Sequence, residues 1–292
     1  MKLLTKFSIL FIVAAGGGLT LAAYVTYTYL QKNARAEVFQ QARLMMETSR
    51  ASRTYTAQQI VPLLKEVQVL DKVFLPQTVP GYAATESFNY LRKTYPDYTY
   101  KEATLNPTDL RDRAVDWEAD IINNFRNNSS IKESSGERES SFGRSLFFAR
   151  PIVADAPCLE CHSTPKAAPV AMIRRYGTAN GFGWRAGEII GAQVVSVPMS
   201  VPIAIADRTF KTILIYMAGT FVLTLLVLNL VVALIVARPV SRLSRIADEI
   251  SQGNLEITGV HAGGSREIST LAASFERMRL SLVKAMRMLE GS

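Results

Sequence analysis

The chain has 292 residues, 48% of them hydrophobic, with two cysteines, two histidines and a formal net charge of +8. That much apolar material excludes an intrinsically disordered chain, and two cysteines in so long a chain exclude a disulfide-stapled mini-protein. The basic excess, 33 Lys and Arg against 25 Asp and Glu, must be divided among compartments before it hints at nucleic acid.

In chain order, residues 1–6 form a short tail with Lys2 and Lys6. Residues 7–30 then carry no charge over 24 positions, and residues 213–237 carry none over 25. A bilayer core needs about 20 apolar residues in a helix, so both runs are expected to span a membrane. Lys2 and Lys6 before an apolar run also describe a signal peptide, with cleavage near Ala22 or Ala23. The length of the run and the helical pattern that continues out of it favour a retained anchor. Gly16, Gly17 and Gly18 would let a neighbouring helix approach closely.

Two spans put both termini on one side. The loop 31–212 is large enough for one folded domain, and 238–292 forms a tail. The charge divides into +2 before the first span, +4 on the loop and +2 on the tail. No segment is strongly basic, so a nucleic-acid partner is not expected. Flanking charge favours a cytoplasmic tail by a small margin only.

Along the loop, the pattern is helical from residue 31 to about residue 70, with Pro62 expected to kink or end its first part. A short helix is expected over 85–94, a strand over 95–103, and a helix from about 109 to 125. The Ser-rich stretch 127–141 reads as a loop. Residues 142–153 read as a strand pair, and 189–199 as the clearest strand. Helices followed by short strands, with a strand tied to a membrane helix, give an α+β sensor-like layout.

Both cysteines fall in Cys158-Leu159-Glu160-Cys161-His162. Two thiols three positions apart reach the two vinyl groups of one porphyrin, and the next residue supplies an imidazole to the iron. The motif therefore predicts one covalent haem c per chain, bound by Cys158, Cys161 and His162. A dithiol would leave His162 without a role, and no βαβ pattern surrounds the motif. A four-ligand zinc site would need His261, which the topology puts across the membrane. Haem attachment of this kind takes place outside the bacterial inner membrane, which makes 31–212 periplasmic. The second axial ligand stays open among Tyr55, Met45, Met46, Met172, Met199, a lysine, water or a vacancy. The glycine-rich stretch 177–191 would allow close backbone approach to a flat cofactor, with Phe182 and Trp184 as stacking candidates. No nucleophile–His–acid set survives, because haem claims His162, so an enzyme is not expected.

In the tail, Val240, Leu243, Ala247 and Ile250 recur at threes and fours. After a linker with Gly253, Gly259, Gly263 and Gly264, so do Ile268, Leu271, Phe275, Met278, Leu282, Ala285 and Leu289. Two such seams predict a homodimeric four-helix coiled coil. A membrane-surface amphipathic helix is the alternative.

Through Pro239, Gly253-Asn254-Leu255 and Glu267-Ile268, the tail resembles the HAMP signal-relay domain, with Arg266 and Ser269 as departures. The loop is similar to a family of bacterial single-haem c-type sensor domains with a PAS-like fold. The matching stretches are Leu105-Asn106-Pro107, Trp117-Glu118, Ala149-Arg150-Pro151-Ile152, Cys158 to His162, and Gly181-Phe182-Gly183-Trp184 with 187–199. Some relatives use a cysteine of the first helix as second iron ligand, and the resemblance puts Tyr55 at that position here.

The expectation is therefore an inner-membrane, multi-pass haem sensor. It has tail 1–6, span 7–30, haem domain 31–212, span 213–237 and HAMP-like relay 238–292. A redox change or a ligand such as O₂, NO or CO at the iron would rearrange the relay. Output is expected to go to a separate cytoplasmic protein, a kinase or similar. The runner-up is a membrane-anchored electron-transfer cytochrome, and the third choice is an adaptor with a dithiol.

Overall fold

The computed structural model describes residues 3–66, 73–141, 143–254 and 265–290. It divides into two compact units, Tyr29–Arg208 and Met1–Thr28 with Thr209–Ser292. In chain order the helices and strands begin with α1 (Leu3–Tyr55), a wide π turn (Thr56–Ile60), α2 (Val61–Glu66), α3 (Pro80–Arg92) and β1 (Thr99–Thr104). Then come α4 (Asp116–Asn127), β2 (Ser134–Ser140), β3 (Gly143–Val153), α5 (Ala156–His162), α6 (Val170–Tyr176) and β4 (Ile189–Pro198). The chain continues through α7 (Ser200–Val232), a second π turn (Ala233–Ala237), α8 (Arg238–Ser251) and α9 (Arg266–Glu290).

The Tyr29–Arg208 unit is built on an antiparallel sheet of order β1-β4-β3-β2, which agrees with the expected mixture of helix and sheet. Side chains alternate between its two faces. Val195, Val197, Leu146, Phe148 and Tyr100 meet Val38, Ala42 and Met46 of α1, spaced by four, and Ala84 and Phe88 of α3. On the other face, Ala103, Ala149, Ala192 and Val194 meet Ile121, Ile122 and Phe125 of α4. Burying a side chain such as Ile122 or Phe125 contributes roughly 2–3 kcal/mol.

The elements differ from expectation at places with a local cause. Ser134–Ser140, expected as loop, pairs with β3 from Ser134↔Ala149 to Ser140↔Gly143. An edge strand has one neighbour and can be polar, and Glu137, Arg138 and Glu139 discourage pairing with another chain. The strand pair expected over 142–153 is one strand, Gly143–Val153. Helix α3 begins at Pro80, whose fixed φ suits a first turn. The strand expected from 95 begins at Thr99, because Tyr98 N–H bonds Tyr95 O in a turn. The helix expected from 109 starts at Asp116. Before it, Asp109 caps a 3₁₀ turn through Arg111 N–H at 3.1 Å.

The first long helix runs to Tyr55 and passes through the wide turn into α2. Pro62 lacks an N–H, and the amide before it, Val61 N–H, reaches back five residues to Thr56 O. The helix expected to continue past Glu66 lies outside the described residues there.

In the other unit, two helices are long and apolar enough to cross a membrane, and none of either apolar window is buried. Leu10, Val13, Leu21, Ile215, Leu223 and Leu226 are exposed along them. Within the unit the two helices touch through Phe11 and Phe221, centroids 5.9 Å apart, and through Ser8 Oγ donating to Asn229 Oδ1 at 2.6 Å. Before Pro239 the π turn repeats, with Arg238 N–H on Ala233 O. Helices α8 and α9 bury Leu243, Ile246, Ile250, Ile268 and Ala272, with Phe275 against them. The inward residue of α8 is Ile246, where the heptad pattern expects Ala247. Leu271, Met278 and Leu282 stay exposed. Of the linker glycines, Gly259, Gly263 and Gly264 lie outside the described residues, as does His261.

Candidate functional site

The Cys158–His162 motif forms α5, in the connection from β3 to β4. Asp155 starts this helix by accepting from Cys158 N–H at 3.3 Å, with Pro157 in the first turn. Helical spacing puts Cys158, Cys161 and His162 at i, i+3 and i+4, on one side of the helix. Both cysteines are free and half-buried. Cys158 Sγ donates to Asp155 Oδ1 at 2.8 Å. Burial pushes both thiols above the ordinary value, and the neighbouring Asp155 and Glu160 carboxylates push Cys158 and Cys161 the same way. Protonated thiols are poor partners for disulfide exchange, which needs thiolate. They suit addition across a vinyl group.

His162 is placed by a second segment. Its Nδ1 lies 2.7 Å from Gly181 O. A carbonyl only accepts, so Nδ1 carries the proton. Burial holds the imidazole below its usual pKa, against the opposing pull of the Gly181 carbonyl. The ring is therefore neutral, with its lone pair on Nε2, the arrangement of a metal-ligating histidine. Trp184 stacks on this ring at 3.9 Å and 15°. The tryptophan expected as a stacking candidate thus packs on the His162 ring.

Gly181 is held from both sides. Its N–H donates to Asn106 Oδ1 at 3.2 Å. Its φ is +82°, and a Cβ there would collide with Thr108. Thr108 Oγ1 is also 3.3 Å from His162 Nδ1. Gly183 N–H and Trp184 N–H donate to Ser163 O and His162 O at 3.0 and 3.2 Å. The Asn106–Thr108 turn, the end of α5 and the Gly181–Trp184 turn are one braced piece.

The first helix and its extension pass beside this piece. Lys65 on α2 pairs with Glu160 of the motif at 3.6 Å. Arg53 on α1 pairs with Glu102, and its charge partly opposes the rise of the Cys158 thiol pKa. Glu102 Oε1 also accepts from Tyr100 O–H at 2.7 Å, and the Tyr100 hydroxyl oxygen accepts from Gln193 Nε2 at 3.1 Å. A polar chain thus leads from α1 through β1 to the central strand β4. The sequence pattern did not mark Arg53 or Glu102, although a charged residue at 102 inside a strand was a signal.

Of the candidates for a second axial ligand, Lys65 lies beside the motif, where it pairs with Glu160. Tyr55 ends α1 with its side chain 60% exposed, and no hydrogen bond or ring contact joins it to the motif among the described residues. Met46 and Met199 are wholly buried in the α1 face of the core, with Met45 packed against it. Met172 is buried on α6. Among the described residues no cluster of His, Cys, Asp and Glu could hold a bare metal ion. Two thiols on one side, a neutral imidazole with free Nε2 and a rigid support fit a haem attached by thioethers.

A family model described as Tll0287-like matches residues 31–198, and the HAMP domain model matches residues 231–284. The search of curated proteins found no match. A solved chain described as "Crystal structure of the cyanobacterial heme-protein Tll0287" is similar at 15% identity and TM-score 0.44, over 56% of this chain and 95% of that one.

Proposed function

The chain belongs to the Tll0287-like family and carries a HAMP domain, and from that premise we propose a membrane-bound haem c sensor and signal transducer. Cys158 and Cys161 hold one haem by thioether bonds and His162 supplies an axial ligand. Bound there, haem supplies a redox-active iron and a coordination position that a small ligand or Tyr55 can take. The chain's own part is to keep His162 neutral by burial, to fix its tautomer through Gly181 and to keep it rigid through Trp184, Asn106 and Thr108. Residues 31–212 lie in the periplasm of a bacterial inner membrane, between spans 7–30 and 213–237, with both termini in the cytoplasm.

The relay works as a homodimer. Leu271, Met278 and Leu282 give α9 an exposed apolar side, which a second copy would cover. HAMP domains commonly dimerise and pass signals to output domains, and a separate cytoplasmic protein such as a kinase is the intended recipient. The protein acts by rearrangement and not by catalysis.

The observation that carries this reading is the His162 Nδ1–Gly181 O bond, which leaves Nε2 free beside two protonated thiols. The test is covalent haem staining of wild type and Cys161→Ala after co-expression with haem-maturation machinery. Staining in wild type with its loss or a shifted spectrum in the variant supports the reading. Unstained wild type overturns it. Adding CO to the reduced protein then separates a sensor, whose spectrum shifts, from an electron-transfer cytochrome, whose spectrum does not.

A further inference from the structure

At the opposite end of the sheet, where β4 runs out into α7, a cleft of about 470 Å³ opens on the α4 face. Its volume is that of a small-molecule site. It shares no lining residue with the Cys158–His162 motif.

The floor of this cleft is polar where a covered sheet face is ordinarily apolar. Ser196 on central strand β4 is only 8% exposed, yet its hydroxyl makes no hydrogen bond among the described residues. No side-chain N or O sealed from solvent lacks a partner among them, so this hydroxyl opens on the cleft.

Not every charge of the wall is paired within it. Lys101 pairs with Glu118 at 2.7 Å, and Arg111 with Glu86 at 2.6 Å, Asp109 at 3.5 Å and Asp112 at 3.6 Å. Arg92 and Arg138 line the cleft with no ion-pair partner among the described residues. Arg138 is the pre-set group. Its guanidinium lies 4.1 Å over the Trp117 ring, and Trp117 packs on Phe147 at 5.5 Å. No acidic side chain pairs with Arg138 among the described residues. A guanidinium anchored over an indole by cation–π attraction keeps N–H groups for a planar two-oxygen acceptor.

We propose that this cleft binds a small organic carboxylate, with Arg138 as the anchor and the Ser196 hydroxyl as a second contact. The site is separate from haem and gives the domain a second input. Ser196 stands two residues from the end of β4, whose next helix is α7, so occupancy bears on the strand that leaves the domain.

The test is calorimetric titration of the full chain in detergent micelles with lactate, succinate and benzoate, and with the three corresponding amides. At least one acid should bind with Kd below about 1 mM and its amide at least about tenfold more weakly. Arg138→Gln should weaken that acid about tenfold or more, with an unchanged circular dichroism spectrum. Ser196→Val, which suits a strand and fills the floor, should do the same and serves if the first variant misfolds. The proposal is overturned if none of the three acids binds, if acid and amide bind alike, or if both variants keep wild-type affinity.

Discussion

The two ends of the sheet solve the same problem with different materials. At the motif end, functional side chains are held by main-chain groups: Gly181 O on His162, Asn106 on Gly181 N–H, and Ser163 O and His162 O on two further amides. At the cleft end they are held by charge and stacking: Arg111, Lys101 and Arg138 against Asp112, Glu118 and Trp117. A backbone brace fixes one geometry and titrates little. A charged wall leaves capacity for a ligand and answers to pH.

The strongest way to break the motif end is Gly181→Ala. The added Cβ meets Thr108 at a positive φ, so we expect a loss of about 3 kcal/mol in chemical denaturation, together with lower haem incorporation. Asn106→Ala should act on the same bond more mildly. Next, Glu102→Ala leaves Arg53 unpaired in a site where the two side chains are 28% and 12% exposed. A cost of about 2–3 kcal/mol is expected, and most of it should vanish in Arg53→Met/Glu102→Ala measured as a double-mutant cycle.

The two ends should also titrate with opposite sign. At the cleft, burial raises Asp112 from 3.8 to about 6. Between those values the folded chain keeps a proton that the unfolded chain has released, so this group lowers stability as pH rises. Asp112→Asn should remove that slope and stabilise the protein above pH 6 by about 2 kcal/mol, read from melting temperature against pH. Towards the motif, hydrogen bonds from Arg150 hold Glu47 and Glu133 below 4.5. Their contribution is complete above pH 4.5 and is lost as pH falls below it. Arg150→Gln should flatten that acid limb, a smaller effect of under about 1 kcal/mol because Glu47 is half-exposed. Parallel pH slopes in the two variants would erase the contrast between the ends.

What could be read from sequence followed from how local each signal is. Cys158-Leu159-Glu160-Cys161-His162 is contiguous, so its chemistry is visible before any fold. The heptad seams are periodic and equally local, although which of Ile246 and Ala247 turns inward depended on packing against α9. Strand β2 was hidden because an edge strand of Ser, Gly, Glu and Arg has no apolar alternation to display. Asn106 and Thr108 were visible as a matching turn, but their task arises from contact with a residue about 75 positions later. Arg138 gave no sign at all, since stacking on Trp117 is a tertiary event.

The wide turns before Pro62 and Pro239 bear on phase. A π turn holds one residue more than the α-helical turn it replaces, and each residue advances a helix by about 100°. The face that α8 presents to α9 is thus offset from the face of α7 by a step that a single residue sets. Deleting one residue from Ala233–Ala237 would close the turn and swing Leu243, Ile246 and Ile250 off the seam without altering either helix's composition. The angular timing of the relay is therefore written in backbone count, where side-chain substitutions cannot reach it.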